Sequence, residues 1–398
     1  MLQKIKTFDF TLFFTPLALL AFGTVMIYSA SMVYAPVALD LPSDHFLHKQ
    51  FLWGGLGLFS MVLFAIIPYR HLQRLTKLIV LLMLLSLAGL FVFGIEVNNA
   101  QSWYDLGFMN FQPAEFVKLG LIIYLASVYA RKQKYIENFS QAVVPPLILT
   151  SLILGMIVLQ PDIGTAAIIG FIASMVVTSS GIRLRHIIVL VSITVSVLVL
   201  SATQLVTDER LSRFSGAFQP FNAPDDSGYH LIQSYVAIGT GGLTGEGLGH
   251  SVQKLGYLPE PHTDFIMAVI AEELGFLGVA IVIGLLSTIV LRGLFISKQC
   301  DNAFGSLLAL GISSMIAIQS FINLGAMSGM LPITGVTLPF VSYGGSSLII
   351  LMTSMGILNN IARSVHVKEE QKTREKQPSS HSFNQVQRNR EGERVWQN

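Results

Sequence analysis

A chain of 398 residues that is 52% hydrophobic and 12% charged, with a mean hydropathy of +0.62, has too little polar surface for a water-soluble domain of this size. The single cysteine, Cys300, excludes an internal disulfide and any cysteine-built metal cluster. A net charge of +2 spread over that length gives no reason to expect a nucleic-acid partner, and the expected class is an all-α polytopic membrane protein.

The basic N-terminus, Met1 to Lys6, runs into an apolar stretch with no small-residue cleavage pattern, so it reads as a retained first span. Windows of about 20 apolar residues place spans at 9–31, 47–67, 73–94, 113–130, 142–159, 162–181, 184–206, 264–296, 303–328 and 340–362. The eighth exceeds a simple span, so a tilt, a kink or an excursion out of the bilayer is expected there. Alternate loops are basic: Lys4/Lys6, Arg70/Arg74/Lys77, Arg131/Lys132/Lys134, Arg183/Arg185, Arg292/Lys298 and the C-terminal segment. By the positive-inside rule both termini face the cytoplasm, and the connection 207–263 faces out with the loops at 32–46, 95–112 and 329–339. The organisation is one membrane domain over 1–364 and a polar tail over 365–398 that is expected to be disordered.

Ionisable groups within spans cost about 2.5–3.5 kcal/mol each on insertion scales, so each needs a reason. Glu115 and Lys118, three apart after Gln112-Pro113, share a helix face; they suit a structural ion pair or a polar wall of an outward cavity. Asp162, before Ile163-Gly164-Thr165, reads first as a helix cap. The richest cluster is Pro259-Glu260-Pro261-His262-Thr263-Asp264, at the start of the eighth span. Thr263 or Asp264 is expected to cap that helix. Asp264 is also a candidate general base, because a carboxylate half withdrawn from water gains proton affinity. Of Glu272-Glu273, at least one faces the bundle interior, where structural hydrogen bonding is the expectation.

Arg210, Arg213 and Lys254 are the clear cations of the outer connection and would serve an anionic ligand. The glycine-rich run 239–249 reads as a flexible, turn-rich re-entrant loop. It is not a phosphate-binding loop, because no Gly-Lys-Ser/Thr follows. Small residues before the last span permit close helix contact.

Five motifs together resemble one family. Tyr28-Ser29-Ala30-Ser31, Gln112-Pro113-Ala114-Glu115, Gln160-Pro161-Asp162-Ile163-Gly164-Thr165, Pro259-Glu260-Pro261-His262-Thr263-Asp264-Phe265 and Leu338-Pro339-Phe340-Val341-Ser342-Tyr343-Gly344-Gly345 occur in the order seen in the SEDS family (shape, elongation, division and sporulation). Within it the cell-division member is the nearest in pattern, with the elongation and sporulation members the alternatives. The resemblance implies a peptidoglycan glycosyltransferase that polymerises lipid II at the outer face of the bacterial cytoplasmic membrane, at the division septum for a division member. It also implies a class B penicillin-binding protein as transpeptidase partner, other divisome proteins and membrane lipids around it.

Asp264 matches the family's essential carboxylate, and Glu115 and Lys118 its central cavity. His262 and Thr263 accompany Asp264 as candidate substrate contacts. Lys118, Arg210, Arg213 and Lys254 are candidates for the pyrophosphate, alone or with a divalent cation (magnesium or manganese); no resident metal ligand set is expected. One departure is Asn99-Ala100-Gln101-Ser102-Trp103, where family members commonly carry an arginine before the tryptophan. The rival readings are a lipid II flippase and a non-catalytic scaffold for the transpeptidase. Without the resemblance, a transporter is the leading reading of a charged pair inside ten helices.

Overall fold

The computed structural model describes residues 8–97, 100–107, 109–136, 138–182, 185 and 215–376. The seventh expected span, apart from residue 185, lies outside the described residues, and so do Arg210 and Arg213. Eleven helices and a small three-stranded ribbon carry the argument. They are α1 (Phe10–Ser31), α2 (Tyr34–Leu39), α3 (His45–Ile66), α4 (Arg70–Phe93), β1 (Ile95–Val97), β2 (Ala100–Asp105), β3 (Asn110–Phe111), α5 (Pro113–Lys132) and α6 (Val144–Leu159). There follow α7 (Ile163–Ser179), α8 (Tyr229–Gly241), α9 (Ile266–Gln299), α10 (Ala303–Met327) and α11 (Gly345–Lys376).

Among the described residues, eight helices are long and apolar enough to cross a membrane, and α7 is a shorter apolar helix. Burial sorts them into a centre and a periphery. The most apolar stretches of α5, α10 and α11 are 78%, 72% and 78% buried, whereas that of α4 is 22% buried. Leu75, Leu78, Leu81, Leu82 and Leu85 of α4 stay exposed, as a face turned to lipid requires. The central helices approach closely: a side chain in place of Gly356 of α11 would collide with the backbone of Met61 in α3.

Local chemistry sets the ends of the helices. Asp9 caps α1 through Thr11 and Leu12, Asp162 caps α7 through the Thr165 amide, and Asn302 caps α10. Pro113 opens α5 at its first turn. The ribbon, antiparallel in the order β1-β2-β3, pairs Ile95 with Trp103 and Tyr104 with Phe111, and Tyr104 Oη donates to Ser86 O of α4 at 2.8 Å.

Three sequence expectations change. Helix α11 continues through Lys376, so residues 365–376 are helical rather than a disordered tail. Helix α9 starts at Ile266 with Phe265 at its N-cap position, and neither Thr263 nor Asp264 caps it. The glycine-rich run is hydrogen-bonded rather than loose, and the reason lies in the expected kink of α9. Gly275 holds φ 63°, ψ −161°, which breaks the helix. The Phe276 and Leu277 amides therefore leave the helix and donate to Gly242 O and Leu243 O at 3.0 and 3.3 Å. The carbonyls they abandon, Glu272 O and Glu273 O, accept instead from the Glu246 and Gly247 amides, each at 3.0 Å. These two amides and two carbonyls are thus satisfied, the condition for irregular backbone inside a bundle.

Candidate active site

The end of the bundle that carries Asp264 is built around the loop 331–344. Gln319 and Asn323, one turn apart on α10, pin this loop: Gln319 Nε2 donates to Thr337 O at 3.1 Å and Asn323 Nδ2 to Val336 O at 2.7 Å. Asn323 Nδ2 also donates to Asp264 O at 2.9 Å. The start of α7 meets the same loop, since Gly164 leaves room for Thr334 O. The Tyr343 amide donates to His262 O at 2.9 Å. Motifs hundreds of positions apart therefore converge on one short segment.

Glu115 and Lys118 form the expected pair. Lys118 Nζ donates to Glu115 Oε1 at 2.8 Å and to Gln319 Oε1 at 3.1 Å, and both side chains are buried. Through Gln319 the pair is coupled to the loop beside Asp264.

Lys254 is not the external cation that the sequence suggests. It is 1% exposed, and its Nζ donates to Glu273 Oε1 at 2.6 Å and Ser29 Oγ at 2.9 Å. Ser29 Oγ also lies 2.7 and 2.8 Å from the two Glu273 oxygens. Glu272 accepts from Ser251 Oγ and from the Val252 amide at 2.8 Å. Both glutamates are structural, as expected. They clamp the segment 251–254 to α9, and Glu273 ties it to α1.

His262 is a correction of another kind. It is 3% exposed and boxed by Tyr34, Phe46 and Tyr343, with ring centroids 5.1, 4.3 and 5.8 Å away. Burial pushes its imidazole down to about 4, so the ring is neutral and packs α2, α3 and the loop together. Its Nδ1 is buried without a hydrogen-bond partner.

Thr263 donates to Glu260 Oε2 at 2.9 Å and to Glu260 O at 3.2 Å, in a turn where Glu260 holds φ 50°. Asp264 follows, half-buried. Its carboxylate has no hydrogen-bond or ion-pair partner among the described residues. Burial, and secondarily the Glu260 carboxylate, push its acid up to about 7. It lines a small cleft with Asn323, Ile333, Thr334 and Gly335. A half-buried, unpaired carboxylate of near-neutral proton affinity is a competent general base. Among the described residues no group of three or more His, Cys, Asp or Glu is placed to hold a metal ion.

Sequence reading missed Gln319 and Asn323. The available signal was two amides four apart inside an apolar span, where an unpaired polar group is costly.

Residues 10–367 match the FtsW/RodA/SpoVE family, described as a cell cycle protein. The probable peptidoglycan glycosyltransferase FtsW of Bacillus subtilis (strain 168) is 50% identical over 387 residues, covering 94% of this chain and 96% of that protein. The stage V sporulation protein E of the same organism is 39% identical over 360 residues, covering 89% and 97%. One solved chain, from a study of how a peptidoglycan synthase complex coordinates polymerization and crosslinking, superposes with a TM-score of 0.74 at 30% identity, covering 90% of this chain and 98% of that one. The crystal structure of the rod shape determining protein RodA of Thermus thermophilus gives 0.64 at 30% identity, covering 90% and 97%.

Proposed function

This chain belongs to the FtsW/RodA/SpoVE family of cell cycle proteins, and from that membership we propose that it is a peptidoglycan glycosyltransferase joining lipid II into β-1,4-linked glycan at the outer face of the cytoplasmic membrane. Its greater identity to the division protein of Bacillus subtilis than to that organism's sporulation protein, 50% against 39%, supports a role in septal wall synthesis. The likeness to a synthase complex that couples polymerization to crosslinking supports a transpeptidase partner of the penicillin-binding class.

Within this reading Asp264 is the catalytic base. Lipid II presents an α-linked sugar on a pyrophosphate and the product is β-linked, so one in-line displacement inverts the anomeric carbon. That step needs a base for the attacking hydroxyl and charge stabilisation for the departing pyrophosphate. The observation that carries the reading is the Asp264 carboxylate: half-buried, unpaired among the described residues, and pushed up to about 7. The Glu115–Lys118 pair and Gln319 hold the loop that faces it. With Lys254 committed to Glu273 and Lys118 to Glu115, the cations left for the pyrophosphate are Arg210 and Arg213, helped by a divalent ion that arrives with the substrate. The flippase and scaffold readings assign no chemistry to Asp264.

The test is glycan-chain formation from purified lipid II by wild type and Asp264→Asn, each with the transpeptidase partner, with and without magnesium or manganese. Polymer from wild type and none from the variant supports the assignment. Equal polymer from both sinks Asp264 as the base, and polymer from neither returns the flippase and scaffold.

A further inference from the structure

Of the long apolar helices described, α4 is the least buried, and it carries its charges in one place. Arg70, Arg74 and Lys77 are all exposed, and spacings of four and three put them on one side of the helix. Leu78, Leu81 and Leu85 continue that side at the same spacing and are 50%, 52% and 59% exposed. Arg131, exposed near the end of α5, joins the group. Its Nη2 donates to Gln73 O of α4 at 2.6 Å, which holds the guanidinium against the same turns.

These charges lack counter-ions. Among the described residues Arg70, Arg74 and Lys77 have no hydrogen-bond or ion-pair partner. At the same end of the bundle, Arg292 is matched by Asp9 at 2.7 Å and Lys368 by Asp301 at 3.8 Å. Like charges one turn apart repel. Lys77 also stands about 10 Å along the helix from Arg70, between the exposed Leu75 and Leu78. A cation beside lipid-facing leucines is tolerated when its stem lifts it to the headgroups and an anion meets it there. The positive-inside rule asks only for a number of cations. It does not ask that they line one lipid-facing side, continuous with leucines and free of acids.

We propose that this side of α4, with Arg131, is a binding site for an anionic phospholipid of the leaflet at that end, the cytoplasmic one by the distribution of Lys and Arg. The lipid phosphate accepts from the four cations, the arginines offering paired N–H groups. The acyl chains lie along Leu78, Leu81 and Leu85. A zwitterionic lipid fits less well, because its own ammonium group meets the same cations. The site is remote from the reaction. Tyr69, next to Arg70, stacks on Phe304 at the start of α10 with centroids 6.0 Å apart, whereas Asn323, which holds Asp264 O, lies near that helix's other end.

The test is lipid binding by the purified full chain, read as the Kd of individual bound lipids in native mass spectrometry. The probes are phosphatidylglycerol and phosphatidylcholine of the same acyl chains, each with and without inorganic phosphate as competitor. Wild type is compared with Arg70→Gln/Arg74→Gln/Lys77→Gln and with a control of equal charge, Lys298→Gln/Arg363→Gln/Lys368→Gln. The expected loss of phosphatidylglycerol affinity in the first variant is about a hundredfold, at about fivefold per cation, while the control binds as wild type does. Phosphatidylcholine should bind more weakly and equally to all three. Arg74→Gln alone leaves the loop basic and should lose about fivefold, which keeps the test intact if the triple variant inserts wrongly. Undiminished binding by these variants, or an equal loss in the control, overturns the site. So does wild type that binds phosphatidylcholine as tightly, or phosphatidylglycerol displaced by inorganic phosphate. None of these outcomes touches the glycosyltransferase reading, which the Asp264 assay decides separately.

Discussion

Asp9 and Asp264 stand at opposite ends of α9's reach, each at the start of a long helix, and the fold treats them in opposite ways. Asp9 is 4% exposed and fully engaged. One oxygen caps α1 through the Thr11 and Leu12 amides at 3.1 and 3.3 Å, and the other accepts from Arg292 Nε of α9 at 2.7 Å. Asn359 of α11 closes on its backbone from both sides. Asp264 caps nothing, and its carboxylate has no partner among the described residues. A carboxylate whose lone pairs are all satisfied is a fastening, because moving a proton onto it would break bonds already made. One left half-buried and unpaired binds a proton readily and can take it from a ligand.

The contrast breaks most sharply at Asp264 itself. Asp264→Asn should lower glycan formation by roughly 10²–10⁴-fold, the usual worth of a positioned base, as read by chain products from lipid II. A residual rate within tenfold of wild type would erase the distinction between the two aspartates. The buried clamp comes next in size. Lys254→Met leaves Glu273 without its counter-ion and should cost about 3–5 kcal/mol, seen as a lower unfolding temperature in detergent. The double variant Lys254→Met/Glu273→Leu should recover most of that loss, since no lone charge remains.

The pH dependence sharpens the same point. With its acid near 7, Asp264 is the active base only when ionised, so kcat/KM should climb about tenfold per pH unit below about 7 and level off above it. The sign for stability is the reverse. A carboxyl whose folded pKa lies above its unfolded value of 3.8 favours the fold below about 4, and that contribution is lost as pH rises through about 7. Asp264→Asn should therefore unfold at a higher temperature than wild type above pH 7, with the gap closing on acidification. The smallest effect belongs to Asp9→Asn. It keeps a capping oxygen but turns an amide N–H towards Arg292 Nε in a buried place, so it should cost about 1–3 kcal/mol and leave polymerisation unchanged, as read by unfolding and by the same glycan assay.

Part of this was legible in the residues. Pro113 before a polar helix turn, Asp162 ahead of Thr165, and the pair Glu272-Glu273 inside a span each announced their local role, and each plays it. The pair Glu115–Lys118 was readable because three-residue spacing on a helix brings side chains together whatever surrounds them. Lys254 and His262 were misread for the opposite reason. Both lie in a polar-looking outer segment, yet its return to α9 and α1 buries Lys254, and the rings of Tyr34, Phe46 and Tyr343 bury His262. Asn323 passed unnoticed because an amide in an apolar run shows its purpose only when the carbonyls it serves, 59 and 13 positions away, are in place.

The sequence by itself determined the membrane class, the succession of apolar spans and the short set of charged positions that needed explaining. Hydropathy and helical spacing are local quantities, and a linear reading captures them. The tertiary structure alone decided which of those charges has a partner. Ser29 meets Glu273 across 244 positions and Asp9 meets Asn359 across 350. Whether a buried carboxylate is a fastening or a base depends on such distant donors, because in a low-dielectric interior one neighbouring hydrogen bond or opposite charge decides where its proton goes.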